Sequence, residues 1–507
     1  MTLVAVPFAL GVIVLAVAVL LRAAPRVVWP QYQGTDAYYH HAYIRLIRET
    51  GHRLPRRNPR IVGPGNHAYP ALFHWLLSFL PPRQVRWVDR FGGVTGDLVV
   101  GGATSGLLCA LGVVDIGTAV AAAGLYLLLP GLILPHIGPR AFTLTPRVWG
   151  QTFYALGVVC WIAADAYPQA WIISVLPLAL MLLTSKFAVQ NLVFVAPLAA
   201  LLMGRYEPLL ASAAAVVLAL LLFRAMFVRQ LVGQIGHLTW YLRRNQEMVA
   251  HRSNWRALVG ALRALDMRRF AAEALWHNPL VSGLIRHFPL VLALGLAWPS
   301  ELTSAPGGFA LALTLAAVVP WLVTAFGPAR ILGESERYLE FAAPAAWVLL
   351  WAANPSPAIV GLIVVSVLVG YSATTIFMHR TQTGFGGKEE ADIAQVLADD
   401  AVLLCLHDPE SYYFLATTEV RLVKYNGDLT AFGDAGRFIA QFFWRYPYVD
   451  PARLPDLIRD GGVTHVLENR RGRARLVAQS GRDYDIAGLD AVHRNDAYVL
   501  YSVRPSA

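Results

Sequence analysis

Apolar residues in this chain come in long, nearly unbroken runs. Stretches of about 20 mostly apolar residues cross the hydrocarbon core of a bilayer. Such stretches stand near 3–21, 94–113, 117–135, 148–165, 170–185, 187–203, 208–228, 283–298, 308–326, 339–353 and 357–378. They predict a polytopic α-helical membrane protein with about eleven spans. The first run has no basic segment before it and no small-residue cleavage site after Leu21, so it is expected to stay as a span.

Three polar segments interrupt the runs: 22–93 after the first span, 229–282 after the seventh, and the tail 388–507. In the tail, AVLLCLHD (401–408), EVRLVKY (419–425), VTHVLEN (463–469) and AYVLYSV (497–503) read as strands. GDAGRFIAQFFWRY (433–446) and PARLPDLIRDG (451–461) read as helices. The alternation predicts a small α/β domain at 388–507, following a transmembrane domain at 1–387. The tail has no Gly-rich phosphate loop and no nucleophile elbow, so it reads as a supporting or recognition domain.

Composition agrees with the spans: 56% of residues are hydrophobic and 15% charged, which excludes an ordinary soluble enzyme. The net charge of +10 is carried almost wholly by arginine, the lysines being Lys186, Lys388 and Lys424. A genome that writes Arg for Lys accounts for much of this, and guanidinium forks in loops also suit phosphates. No RNA- or DNA-binding motif accompanies the charge, so no nucleic-acid partner is expected. Cys109, Cys160 and Cys405 lie far apart and suggest small buried hydrophobes rather than a disulfide framework or a metal site.

The loop after the first span is where a lipid-built chain keeps its chemistry-bearing side chains. TDAYYHHAYIRLIRETG predicts a short interfacial helix with Tyr39, Tyr43, Leu46 and Ile47 on one side, Asp36 at its start and Gly51 just past its end. Asp36 is either a helix N-cap or a general base able to deprotonate an acceptor hydroxyl. His40 and His41 are adjacent and so point to different sides of the helix, which makes them a poor metal pair. His67, Tyr69 and His74 follow on NHAYPALFHWLLSFL, each His being a hydrogen-bonded packing residue or a substrate contact.

An acid just after the first span, a helix ending in Gly (DAYYHHAYIRLIRETG), a proline-containing stretch and a Tyr69-Pro70…His74 pair resemble the first outer loop of GT-C fold glycosyltransferases. These membrane enzymes take a sugar from a polyprenyl-phosphate carrier. They include the protein O-mannosyltransferases, the aminoarabinose transferases of lipid A and the catalytic subunit of oligosaccharyltransferase. Long polar loops after spans one and seven, an outer soluble domain, and GESERYLEFAAP (333–344), which is similar to an ERYL…P segment of the family, extend the resemblance. It implies a GT-C-like cell-envelope transferase with Asp36 as catalytic acid residue. Its partners would be a polyprenyl-phosphate sugar donor, a lipid, glycan or protein acceptor, and membrane lipids.

Leaving-phosphate stabilisation then falls to Lys186, Arg337, Tyr338, Arg140 and Arg147. Lys186 otherwise snorkels at a span boundary, and Arg337 otherwise joins an ion-pair network with Glu334, Glu336 and Glu340. The substrate-binding candidates are His40, His41, Tyr69, His74, Trp240, Tyr241 and Arg243. The last three lie on an amphipathic stretch that either rests on anionic lipid or folds over the donor. No cofactor is implied. The second outer loop, PHIGPRAFTLTPRVWG, has no Asp or Glu, and no DxD surrounds Asp36, so both features argue against a divalent metal. The WWD-type signature of oligosaccharyltransferase is absent, which argues against asparagine glycosylation. The rival readings are a transporter or flippase of lipid-linked intermediates and a non-enzymatic scaffold; the chain shows no inverted repeat to support the first.

With the amino terminus inside, an odd number of spans puts loop 22–93, the 229–282 stretch and the tail on one extracytoplasmic face. Arg22 and Arg26, which follow the first apolar run, and inner loops nearly free of Arg favour the opposite orientation. We expect cysteine labelling of single-Cys variants in intact cells to reach residues of 34–90 and of the tail from the outside together. Labelling of the two segments from opposite faces would sink the arrangement.

Overall fold

The structure is a computed structural model that describes residues 6–30, 34–133, 144–244, 255–274, 278–297, 307–326, 329, 332, 335–381, 387–425 and 433–504. Side chains are not described at 35, 237–244, 297, 377, 381 and 433–435. The chain forms two compact units: 1–30, 86–224 and 250–381 make the first, and 31–85, 225–249 and 382–507 the second.

The first unit is helical. All eleven apolar runs contain helix, yet six described helices are long and apolar enough to cross a membrane: Phe8–Val28, Pro82–Ala110, Lys186–Met203, Glu207–Gly236, Gly307–Thr324 and Pro357–Arg380. Pro279–Arg286 and Phe288–Leu296 make a seventh if the pair, bent by 74°, is one span. That is fewer than the runs in the sequence. Ile116–Leu127 and Ala170–Thr184 are shorter, and Ser335–Ala352 carries Glu336, Arg337 and Glu340. The long helix Glu207–Arg244 is interrupted at Arg224, whose φ is +41°.

Two features hold the start of this unit together. Phe8–Val28 packs on Ile116–Leu127 through small residues: a Cβ on Gly11 would lie 2.4 Å from the Gly117 carbonyl oxygen. The same helix is tied to Pro82–Ala110 by buried ion pairs. Arg22 donates to Asp97 at 2.8 Å and to the Leu132 carbonyl at 3.1 Å. One turn on, Arg26 lies 3.7 Å from Asp89, which also accepts the Leu144 amide at 2.6 Å. Arg22 and Arg26 therefore belong to the helix and are neutralised inside the unit, rather than sitting in a loop. Their weight in the orientation argument above falls away, because that rule counts cations in short loops.

The second unit is built on a six-stranded sheet. Its strands are β1 (Ile61–Val62), β2 (Val402–Cys405), β3 (Arg421–Val423), β6 (His465–Asn469), β7 (Asp490–Arg494) and β8 (Tyr498–Ser502), in the order β1-β3-β2-β6-β8-β7. The first four are parallel, and β8 and β7 run antiparallel. A two-stranded ribbon, β4 (Phe443–Arg445) and β5 (Tyr448–Val449), stands apart. The four strands read in the tail are present. The helix expected over 433–446 stops at Phe442, because Phe443–Arg445 turn at Pro447 and pair with β5. Helices Ser411–Thr417 and Arg470–Ser480 and strand β7 escaped the sequence reading.

Both sheet faces are covered, as β2 shows. Val402, Leu404 and Leu406 enter one core cluster, while Ala401, Leu403 and Cys405 enter the other. Cys405 is buried as expected, and Cys109 and Cys160 are half-buried; all three are free thiols. The second cluster also contains Ala42, from the loop after the first span. β1 comes from that loop as well, pairing Ile61 with Leu422 and Val62 with Val423.

Removing one partner of a buried pair strands a charge, at a cost of about 3–5 kcal/mol. Asp97→Asn should accordingly lower the thermal midpoint of the purified protein markedly. Arg22→Met with Asp97→Leu should recover most of the loss, and equal melting of the single and double variants would show the pair to be idle.

Candidate functional site

The second unit holds the loop residues. The helix predicted at TDAYYHHAYIRLIRETG spans Thr35–Glu49. It ends where Gly51 takes φ +66°, with the His52 amide donating to the Ile47 carbonyl at 2.8 Å. The N-cap is Gly34, with no side-chain cap. Asp36 is therefore not the cap: it is exposed in the first turn, where the helix dipole favours a carboxylate. Nor is the helix a one-sided interfacial element. Tyr43, Leu46 and Ile47 are buried as expected, but so are Ala37, His40, Ala42 and Ile44.

His40 lies four residues beyond Asp36, on the same helical face. The structure brings His40, Tyr69 and His74 together. His40 Nδ1 and His74 Nε2 are 2.9 Å apart, and the Tyr69 ring centroid is 5.6 Å from that of His40 and 5.5 Å from that of His74. His74 is fully buried, and its Nδ1 lies 3.3 Å from the Pro70 carbonyl. A carbonyl only accepts, so Nδ1 of His74 donates and Nε2 is left to accept from His40. Burial pushes the His74 pKa down to about 3, which keeps it neutral. Tyr39, expected on one side of the helix with Tyr43, touches His40, Tyr69 and Tyr412, and Tyr43 stacks on His67 at 4.2 Å. His41 is half-buried on another side of the helix.

The first unit holds the basic candidates, and each described one sits in the first turn of a helix. Arg147 opens Pro146–Ala163, Lys186 opens Lys186–Met203 and Arg337 opens Ser335–Ala352. These starts converge. Gly150 and Ser185 pack so closely that a Cβ on Gly150 would lie 2.2 Å from Ser185 Cβ. Arg147 is 3.6 Å from Glu340, and Gln151 donates to the Glu340 carbonyl at 2.7 Å. The Arg337 guanidinium lies 3.3 Å from the Phe187 ring centroid, and the Lys186 ammonium lies 5.5 Å from the same centroid. Glu336 turns to Arg286 at 3.0 Å and also accepts from Ser282. The Tyr338 hydroxyl donates to the Leu332 carbonyl at 2.5 Å.

Three cations in three helix first turns oppose the positive end of each helix dipole. Phe187 and Gln151 were missed in the sequence because an aromatic and an amide inside or beside apolar runs carry no periodic signal, whereas Glu340, expected in a network with Arg337, is 3.6 Å from Arg147. Arg140 and the side chains of Trp240, Tyr241 and Arg243 lie outside the described residues. Among the described residues, no group of three or more His, Cys, Asp or Glu side chains is placed to hold a metal ion.

No family model matches this sequence. No curated protein matches it by sequence either. Solved structures do match. ArnT from Cupriavidus metallidurans in the apo state is 13% identical, with a TM-score of 0.59 over 98% of this chain and 99% of ArnT. ArnT bound to undecaprenyl phosphate is 14% identical, with a TM-score of 0.57 over the same 98% and 99%. The oligosaccharyltransferase AglB from Archaeoglobus fulgidus, in complex with an inhibitory peptide and a dolichol-phosphate, is 12% identical with a TM-score of 0.57 over 92% of this chain and 70% of AglB. Both are GT-C fold glycosyltransferases, and this chain has the GT-C fold.

The neutral buried His74 gives a pH signature. Its pKa is about 3 in the folded protein, against 6.5 for the ordinary side chain. The unfolded chain thus binds the extra proton first, and stability is lost as pH falls below about 6.5. Between about pH 6.5 and 4, His74→Gln should lose less of its thermal midpoint than the wild type. An identical pH slope in both proteins would overturn the assignment.

Proposed function

We propose that this protein is a membrane glycosyltransferase that moves a sugar from a polyprenyl-phosphate donor to an acceptor hydroxyl on the extracytoplasmic face. The observation that carries this reading is the convergence of Arg147, Lys186 and Arg337 at three helix N-termini, within a GT-C fold. Charge of that kind, set among apolar helices, suits a phosphate whose tail stays in lipid. A solved neighbour, ArnT, was captured with undecaprenyl phosphate, and AglB with a dolichol-phosphate.

The chemistry follows from the parts. Asp36 takes the proton of the acceptor hydroxyl. The oxygen forms a bond to the anomeric carbon as the bond from that carbon to the phosphate oxygen breaks. The electron pair leaves with the polyprenyl phosphate, whose charge is met by Arg147, Lys186 and Arg337. One displacement inverts the anomeric centre. Phosphate is a good leaving group, so no strong general acid is needed. Asp36 is exposed in the first turn of a helix whose N-cap is Gly34, which suits a group that meets an acceptor. His40 on this helix, with Tyr69 and His74 packed against it, is assigned with them to substrate binding.

A transporter fits less well. Among the described residues there is one bent helix pair, and alternating access built on repeats would call for a counterpart. The outer placement of Asp36 also loses its main objection, since Arg22 and Arg26 are ion-paired inside the first unit.

Asp36→Asn keeps the side-chain size and removes the proton acceptor. Loss of a general base costs about 10²–10⁴-fold in rate. In vitro transfer from a panel of polyprenyl-phosphate hexoses and pentoses should fall by that order, with the thermal midpoint and donor binding retained. A folded variant transferring at near wild-type rate would remove Asp36 from the mechanism.

A further inference from the structure

The tail is more than an appended domain, because the helix bearing Asp36 is folded into it. Ala42 of that helix sits in the core cluster formed by Ile393, Leu403, Phe414 and Leu422. Around it, side chains of the HDPESYY turn (407–413) grip the helix at its first two turns. The Tyr412 ring meets Tyr39 edge-on at 5.4 Å, and the Tyr413 ring meets Tyr38 at 5.0 Å. Further along, Arg45 pairs with Glu419 and donates to the Thr418 carbonyl at 3.2 Å.

The turn itself is anchored at the carboxyl ends of three adjacent parallel strands, β3, β2 and β6. Lys424, directly after β3, is buried with its ammonium 3.8 Å from the Tyr412 ring centroid. It lies 3.2 Å from Asp408 and donates to Ser411 Oγ at 2.8 Å. Glu410 accepts from Asn469, at the end of β6, at 2.7 Å and lies 2.6 Å from His407 Nδ1. Desolvation pushes the Lys424 pKa down, and Asp408 opposes that shift, so the pair is held as an ion pair by geometry rather than by solvent. A buried lysine of this kind, in a chain that otherwise uses arginine, is a fixed point for the ring that rests beneath it.

Building on the proposed role of Asp36, we propose that Tyr412, seated under the Lys424 ammonium, is a positioning residue. Through Tyr39 it fixes the first turns of the Asp36 helix and thereby sets where the base stands. The ring does this through its contact with Tyr39. The tail is thus the mount of the catalytic loop.

The test is hydrogen exchange on the full-length protein in nanodiscs, run beside the transfer assay with the same polyprenyl-phosphate sugars. In Tyr412→Ala the amides of 37–49 should exchange about tenfold faster, while those of β2 and β6 stay protected. The transfer rate constant should fall at least about tenfold with donor KM unchanged, as small misplacements of a catalytic group do. Tyr412→Phe, which keeps the ring against Tyr39, should stay much closer to wild type than Tyr412→Ala in both. Faster exchange with an unchanged rate overturns the positioning role, as does unchanged exchange of 37–49. If Tyr412→Ala does not fold, Glu419→Arg loosens the same seam from an exposed position and should lower the rate constant at constant KM; no change in rate or in exchange there overturns the proposal. Failure of the catalytic reading is told apart by Asp36→Asn. A fully active Asp36→Asn removes the base, while the exchange data still report on the clamp.

Discussion

An ionised side chain surrounded by apolar helices must be matched by an opposite charge, and the first unit is arranged around that requirement. Arg22 with Asp97, Arg26 with Asp89, Arg286 with Glu336 and Arg147 with Glu340 each place a cation against a carboxylate from a different helix. Such pairs add little net stability over well-packed apolar residues, yet breaking one strands a charge. Their effect is to fix which helices are neighbours. Lipid-facing apolar packing alone gives no such choice, since hydrocarbon tails are as apolar as Leu.

The same requirement explains the basic cluster. Arg147, Lys186 and Arg337 sit where helix dipoles oppose them, Glu340 lies 3.6 Å from Arg147, and Glu336 turns toward Arg286 at 3.0 Å. Phe187 lies beneath Arg337 and near Lys186, its ring face toward both cations.

The second unit solves a different problem. A loop between two spans has too little apolar surface to order a helix of 15 residues in water. Here the helix borrows a core. Ala42 enters the tail's cluster, β1 joins the tail's sheet at its edge beside β3, and Arg60 donates to the Leu415 and Thr418 carbonyls. Sequence separations above 350 residues make this arrangement invisible to any local pattern.

The helical membrane class, the start of the loop helix near Asp36, its end at Gly51 and the four principal tail strands were all decided by the sequence. Each rests on a local rule: run length against bilayer thickness, the φ > 0 stop at glycine, and strand propensity. The pairing of His40 with His74, the meeting of Arg147, Lys186 and Arg337 around Phe187 and Glu340, and the entry of Ala42 and β1 into the tail's sheet were decided only by the tertiary structure. So was the fate of Arg22 and Arg26, which read as loop charges and are buried ion pairs. The physical reason is the same in each case. Propensity and hydrophobic period act over a few residues, whereas a buried polar group is satisfied by whatever partner the packing of distant helices and strands delivers.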